Sequence, residues 1–122
     1  MNRTDSQPFE CPIQVIVDMI GGKWKLSILY QLFQGTKRYG ELKRLIPNAT
    51  ERMLTLQLRE LEASGIVQRT VYPEVPPKVE YSLTELGLSL EPVLQTMLHW
   101  SEQYLQQKGA QMREVHSEVS SV

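Results

Sequence analysis

Residues 40–64 hold two segments of helical apolar spacing with so few residues between them that the link must be a tight turn. Leu42, Leu45 and Ile46 form the inner face of a short helix over about 40–46, with Lys43 and Arg44 outward. Pro47 ends it, and Asn48 tolerates the left-handed backbone of the turn. Thr50 is a good N-cap for a helix that runs to Ser64, and Gly65 stands just past its end. A hairpin pattern follows. Ile66–Tyr72 is rich in β-branched residues, residues 73–78 carry three prolines as a stiff tip, and Val79, Tyr81 and Leu83 alternate with Glu80 and Ser82 on the return. Helix, turn, helix and a two-stranded wing predict a mainly α protein with a small β-hairpin (α+β), a winged helix-turn-helix.

The flanking segments predict helices with more apolar surface than one small domain covers. Pro12 suits a first helical position; Ile13, Ile16, Val17 and Ile20 then share one face, Val15 and Met19 another, until Gly21-Gly22 breaks the helix. Lys23–Gln34 reads as a second helix with Trp24, Ile28, Leu29, Leu32 and Phe33 inward, Trp24 as core anchor, and Gly35 as the stop. Thr84 is expected to cap a long helix in which Leu86, Leu90, Val93, Met97, Trp100 and Tyr104 follow 4-3-4-3-4 spacing, beside Leu94, Leu98 and Leu105. Pro92 is a place for a kink in it. Two stripes on the last helix and two faces on the first predict self-association through both, with Ile13, Ile16, Val93, Met97, Trp100 and Tyr104 in the seam. The expected organisation is a loose polar arm over 1–10, a domain over 11–105, and a polar tail over 106–122 with a frayed end.

Composition excludes several classes of function. With 122 residues, 41% apolar and 22% charged, the chain reads as one small globular domain, or one domain plus a protruding element meant for a partner, rather than a disordered segment. No uncharged stretch is long enough to cross a bilayer, and the N-terminus has acids but no apolar signal core, so a cytoplasmic protein is expected. One cysteine, Cys11, excludes an intrachain disulfide and a multi-cysteine zinc site. No nucleophile elbow, P-loop or paired metal-binding histidines occur; His99 and His116 are isolated, and Glu60 and Glu62 fall on different sides of their helix as a solvated face. The expectation is a non-enzyme without cofactor or metal.

Charge is segregated under a net value of −1. Residues 1–22 carry −2, residues 23–80 carry +4 from ten Lys and Arg against six Glu, and residues 81–122 carry −3. A basic middle between acidic ends suits a nucleic-acid surface with a separate module that avoids it. The helix after Thr50 sharpens this reading. Leu54, Leu58 and Leu61 share a narrow arc, while Arg52, Thr55 and Arg59 fall opposite. Arginine can donate two hydrogen bonds to guanine, and the threonine methyl packs on thymine. Thr50 and Glu51, at the entrance of this helix, are candidate DNA contacts as well, and Lys37, Arg38, Lys43, Arg44 and Lys78 are candidate phosphate contacts that position without reading sequence. Double-stranded DNA is the expected partner; the alternative is a winged-helix protein–protein interaction module without DNA binding.

The blocks CPIQVIVDMIGGKWKLSILYQL, KRYGELKRLIP, MLTLQLRELEASGIVQR and YPEVPPKVEYSLTELGLSL resemble bacterial HxlR-type winged helix-turn-helix transcriptional regulators, a MarR-like family, over residues 11 to about 104. The resemblance implies a homodimer on a pseudo-palindromic operator, with the second helix of the motif in the major groove and the wing beside it. It also implies dimerisation by the first and last helices. Three positions depart from the family pattern. Asn48 stands where relatives often carry Gly, and preserves the turn. Ala49 gives little hydrophobic staple against Leu54, so a less rigid start of the reading helix is expected. Leu56 takes a rather exposed position where a polar residue is common.

Cys11 precedes Pro12 at a helix start, where free N–H groups and the helix dipole favour an anion. The common role of a lone cysteine is that of a small inert apolar residue. The resemblance implies another role, because some regulators of this type sense oxidants or electrophiles through a cysteine at this place. The product would then be an intersubunit disulfide, a mixed disulfide with a small thiol, or a covalent adduct.

Overall fold

In the computed structural model, which describes the backbone of residues 11–120 and the side chains of residues 11–109, the helix-turn-helix core and its wing form as the sequence predicts. The expected arm over 1–10 and the side chain of His116 lie outside the described residues. The elements in order are α1 (Pro12–Ile20), α2 (Lys25–Leu32), β1 (Lys37–Arg38), α3 (Tyr39–Leu45), α4 (Glu51–Ala63), β2 (Val67–Tyr72), β3 (Lys78–Leu83), α5 (Glu85–Leu88) and α6 (Glu91–Ser120). The described residues divide into two units, one up to Leu88 and one from Ser89 on.

In the first unit, Ile28 and Leu29 from α2, Leu42 from α3, and Leu54, Leu58 and Leu61 from α4 bury their side chains almost completely with Ile66 and Val67 at the start of the wing. Fully burying each such side chain contributes about 1.5–3 kcal/mol, so this cluster holds α4 at its depth and rotation. Gly65 makes the exit from α4 with φ +79°, a left-handed backbone that glycine adopts without strain. Strands pair antiparallel in the order β1-β3-β2, with Val67 opposite Leu83 and Tyr72 opposite Lys78.

Four differences from the sequence expectations have local causes. The second helix begins at Lys25, and Trp24 is its half-buried N-cap; the inward side chain is Lys25, 7% exposed, whose ammonium lies 2.8 Å from the Glu60 carboxylate. Glu60 is therefore one end of an ion pair and not merely part of a solvated face. Leu45 is exposed, because the core position at the end of α3 is taken by Ile46. A third strand, Lys37–Arg38, pairs with β3 in the register Lys37 to Tyr81 and Arg38 to Glu80. Finally, the long helix after Thr84 is two helices.

The break at residues 89–90 puts Pro92 in the first turn of α6, where its missing N–H costs no intrahelical bond. Thr84 caps the short α5 instead: its Oγ1 donates to the Gly65 carbonyl at 2.5 Å and accepts from the Gly87 N–H at 3.1 Å. A Cβ on Gly87 would run into the Ile66 carbonyl, so this corner requires glycine. In the second unit α6 continues to Ser120, past residue 105 where its apolar stripe stops, so the polar segment after residue 105 is helical as far as residue 120. Along it Val93, Met97, Leu98, Trp100, Tyr104 and Leu105 are exposed, and the Trp100 and Tyr104 rings stack at 5.5 Å.

Candidate nucleic-acid interface

The rotation of α4 decides what it offers outward. With Leu54, Leu58 and Leu61 buried, Arg52 and Arg59 are exposed on the other side, and Thr55 is half-buried between them. Neither arginine has an ion-pair partner among the described residues, so their donors remain available. Thr50 accepts from the Met53 N–H at 3.1 Å, satisfying one of the free donors of the first turn, and Glu51 places a negative charge at the positive end of the helix.

The start of α4 is held more firmly than the weak staple at Ala49 predicts. Ala49 is 1% exposed and its N–H donates to the Ile46 carbonyl at 3.2 Å. A side chain absent from the sequence expectations adds a second hold. The Tyr39 hydroxyl, from the first residue of α3, donates to the Glu51 carbonyl at 3.1 Å, and the Thr55 hydroxyl lies 3.4 Å from the same phenol oxygen. Tyr39, Glu51, Arg52, Thr55, Leu56 and Arg59 line one hollow of about 470 Å³. Leu56 is exposed beside the two arginines, as its position on the helix predicts.

A second hollow of about 380 Å³ joins α4 to the wing, lined by Thr55, Leu58, Arg59, Glu62, Arg69 and Tyr81. Arg69, on β2, is exposed there and adds a cation that the sequence alone does not single out. Only a three-dimensional register could have found it, because strand alternation marks it merely as outward.

The candidate phosphate contacts occupy different states. Arg44 is exposed near the end of α3. Lys43 is half-buried, with its ammonium 3.4 Å from the Pro47 carbonyl, across the turn that leads to α4. Arg38 is exposed and its backbone N–H donates to Glu41 at 3.0 Å, while Lys37 is half-buried on β1. Lys78 is engaged within the wing, 3.3 Å from Glu80 and 5.0 Å above the Tyr72 ring, so a phosphate there would have to compete with a carboxylate. Cys11 is exposed as N-cap of α1 and makes no side-chain capping bond. Ile13 is 70% exposed and Ile16 half-buried on that helix; on α6, Val93, Met97 and Tyr104 are exposed and Trp100 is 67% exposed.

Among the described residues no group of acids, histidines and cysteine could hold a metal ion, and no helix is long and apolar enough to cross a membrane. The arrangement is instead a helix that turns two arginines outward, with a β-hairpin beside it.

Comparison with known proteins bears on the family and the fold. The family model of the HxlR-like helix-turn-helix matches residues 19–109. The uncharacterized HTH-type transcriptional regulator YdeP of Bacillus subtilis (strain 168) is 57% identical over 100 residues, which cover 81% of this chain and 78% of that protein. Among solved structures, the redox regulator HypR in its oxidized form is 57% identical with a TM-score of 0.73, over 76% of this chain and 96% of that one. The reduced form of the transcriptional regulator YodB from B. subtilis is 39% identical with a TM-score of 0.71, over 79% and 96% respectively.

Proposed function

The chain belongs to the HxlR-like helix-turn-helix family, and we propose that it is a cytoplasmic, homodimeric transcriptional regulator that reads double-stranded DNA with α4. The observation that carries this reading is the clean division of α4. One side is sealed by Leu54, Leu58 and Leu61, and the other presents Arg52, Thr55 and Arg59 with both guanidinium groups free of ion pairs among the described residues. An α-helix of this kind fits the major groove, where arginine recognises the O6 and N7 acceptors of guanine. Arg44, Lys43, Lys37, Arg38 and the wing residues Lys78 and Arg69 would meet phosphates and set the orientation.

Homodimerisation through α1 and α6 is supported by apolar residues left exposed on each helix: Ile13, Val15 and Val17 on the first, and Val93, Met97, Trp100 and Tyr104 on the second. The domain proper would then span 11–105, with 106–122 outside it. Switching through Cys11 is supported by its exposure at the start of α1 and by the redox regulator among the solved relatives. An oxidant that accepts two electrons would join two Cys11 thiols, or one thiol and a small thiol, as a disulfide with release of two protons; an electrophile would instead form a thioether adduct. A mobility shift on genomic fragments over a salt series tests the function. Sequence-selective complexes that weaken steeply with salt are expected, and no complex at low salt would leave the protein–protein module in their place.

A further inference from the structure

Tyr39 meets α4 where the helix begins, and its one hydroxyl proton goes to the nearer of two acceptors, the Glu51 carbonyl at 3.1 Å rather than the Thr55 oxygen at 3.4 Å. The Glu51 carbonyl can only accept, so the 3.1 Å contact uses the Tyr39 proton. Toward Thr55, 3.4 Å away, the phenol oxygen can then only accept, and the Thr55 hydroxyl must donate. A helical threonine has another site for its proton, the carbonyl four residues back. For Thr55 that carbonyl is Glu51 itself, whose oxygen already takes the helical Thr55 N–H and the Tyr39 hydroxyl. Both lone pairs of that oxygen are occupied, so Tyr39 receives the Thr55 proton.

Resting on the reading of α4 as the recognition helix, we propose that Tyr39 is a positioning residue that sets the hydrogen-bond polarity of Thr55, so that Thr55 reads a base as an acceptor. With its proton spent on Tyr39, the Thr55 oxygen presents lone pairs only. In the major groove the partners for an acceptor are the exocyclic amines, N6 of adenine and N4 of cytosine; guanine O6 and N7 and thymine O4 are acceptors themselves and are rejected. The same bond fixes χ1 of Thr55, and with it the place of the γ-methyl. Tyr39, Arg52, Thr55 and Arg59 line one hollow, so polarity set by the phenol is set at the reading surface.

The test is selection from a randomised duplex pool by the wild type, Tyr39→Phe, Thr55→Val, Thr55→Ser and the double variant Tyr39→Phe/Thr55→Val, with melting temperature and salt slope measured for each. The wild type and Thr55→Ser should favour adenine or cytosine at one position of each half-site by about three- to tenfold. Thr55→Val should lose that preference. Tyr39→Phe should relax it toward guanine or thymine at the same position only, because the freed Thr55 hydroxyl can donate or turn back. The double variant should match Thr55→Val. A merely structural tyrosine would lower affinity for all sequences alike, and that result, or unchanged preferences in Tyr39→Phe, overturns the proposal. If Thr55→Val changes nothing while Arg52→Ala and Arg59→Ala, put through the same selection, shift preferences, the proposal fails and the recognition helix stands; if none of these three shifts them, both fail.

Discussion

Glu60→Gln should destabilise the protein more than Lys25→Met, although both changes break the same ion pair. Lys25 is 7% exposed and, among the described residues, is the buried charged side chain; Glu60 is 46% exposed. Removing one partner of a fully buried pair costs about 3–5 kcal/mol, because the other charge is left uncompensated. Here the two ends differ. Glutamine at 60 strands an ammonium that water scarcely reaches, and with half of the partner already in solvent the cost falls to about 1–2 kcal/mol. Methionine at 25 keeps the apolar stem, removes the buried charge, and leaves a carboxylate that solvent rehydrates, for under about 1 kcal/mol. In a unit of this size each kcal/mol lowers the melting temperature by roughly 4–8 °C. Thermal unfolding followed by circular dichroism should place Glu60→Gln clearly below the wild type and Lys25→Met close to it. Equal losses, or a larger loss in Lys25→Met, would refute the argument.

Leu58→Ala, at a fully buried position of α4, should cost about 2–5 kcal/mol in denaturant unfolding. Arg52→Ala and Arg59→Ala should each cost about 1–3 kcal/mol of DNA binding and relax preference at one or two base positions, whereas Arg44→Ala should weaken all sequences alike and lower the salt slope by about one, as titrations over a salt series would show. Met97→Asp should place a charge in the α6 seam and give a monomer or an unfolded chain, against a wild-type dimer at micromolar concentration by sedimentation. Treatment with a diamide-type oxidant should change operator affinity in the wild type and leave Cys11→Ser unaffected; a loss that persists in Cys11→Ser would point to methionine oxidation.

Punctuation residues made most of the fold legible. Pro12, Pro47, Thr50 and Gly65 each mark a boundary within a residue of where it falls, and alternation over 79–83 marks the return strand. What was hidden has physical reasons. Two residues cannot show a period, so β1 is visible only through its pairing with β3. A lysine on a helix is expected outward, and only the carboxylate of Glu60, thirty-five residues on, makes an inward Lys25 tolerable. The apolar stripe from Leu86 to Tyr104 runs on through a break, because spacing records a face and not the continuity of hydrogen bonds; Pro92 marked the place but suggested a kink. At the candidate interface, Arg52, Thr55 and Arg59 follow from the helical wheel alone, and Tyr39 does not. Its role depends on a contact across the turn to Glu51 and Thr55, which no local pattern encodes.

If α4 reads DNA sequence in a two-fold symmetric dimer, the bound sites must show both the symmetry and the arginines. Selection of bound fragments from a randomised duplex pool by the wild type and by the Arg52→Ala/Arg59→Ala variant tests it most directly. Enrichment of an inverted repeat with half-sites about 10 bp apart, or a multiple of that, is predicted for the wild type, with the preferred bases of each half-site lost in the variant. A wild type that enriches no sequence, or a variant that enriches the same repeat as strongly, would show that α4 does not read the site.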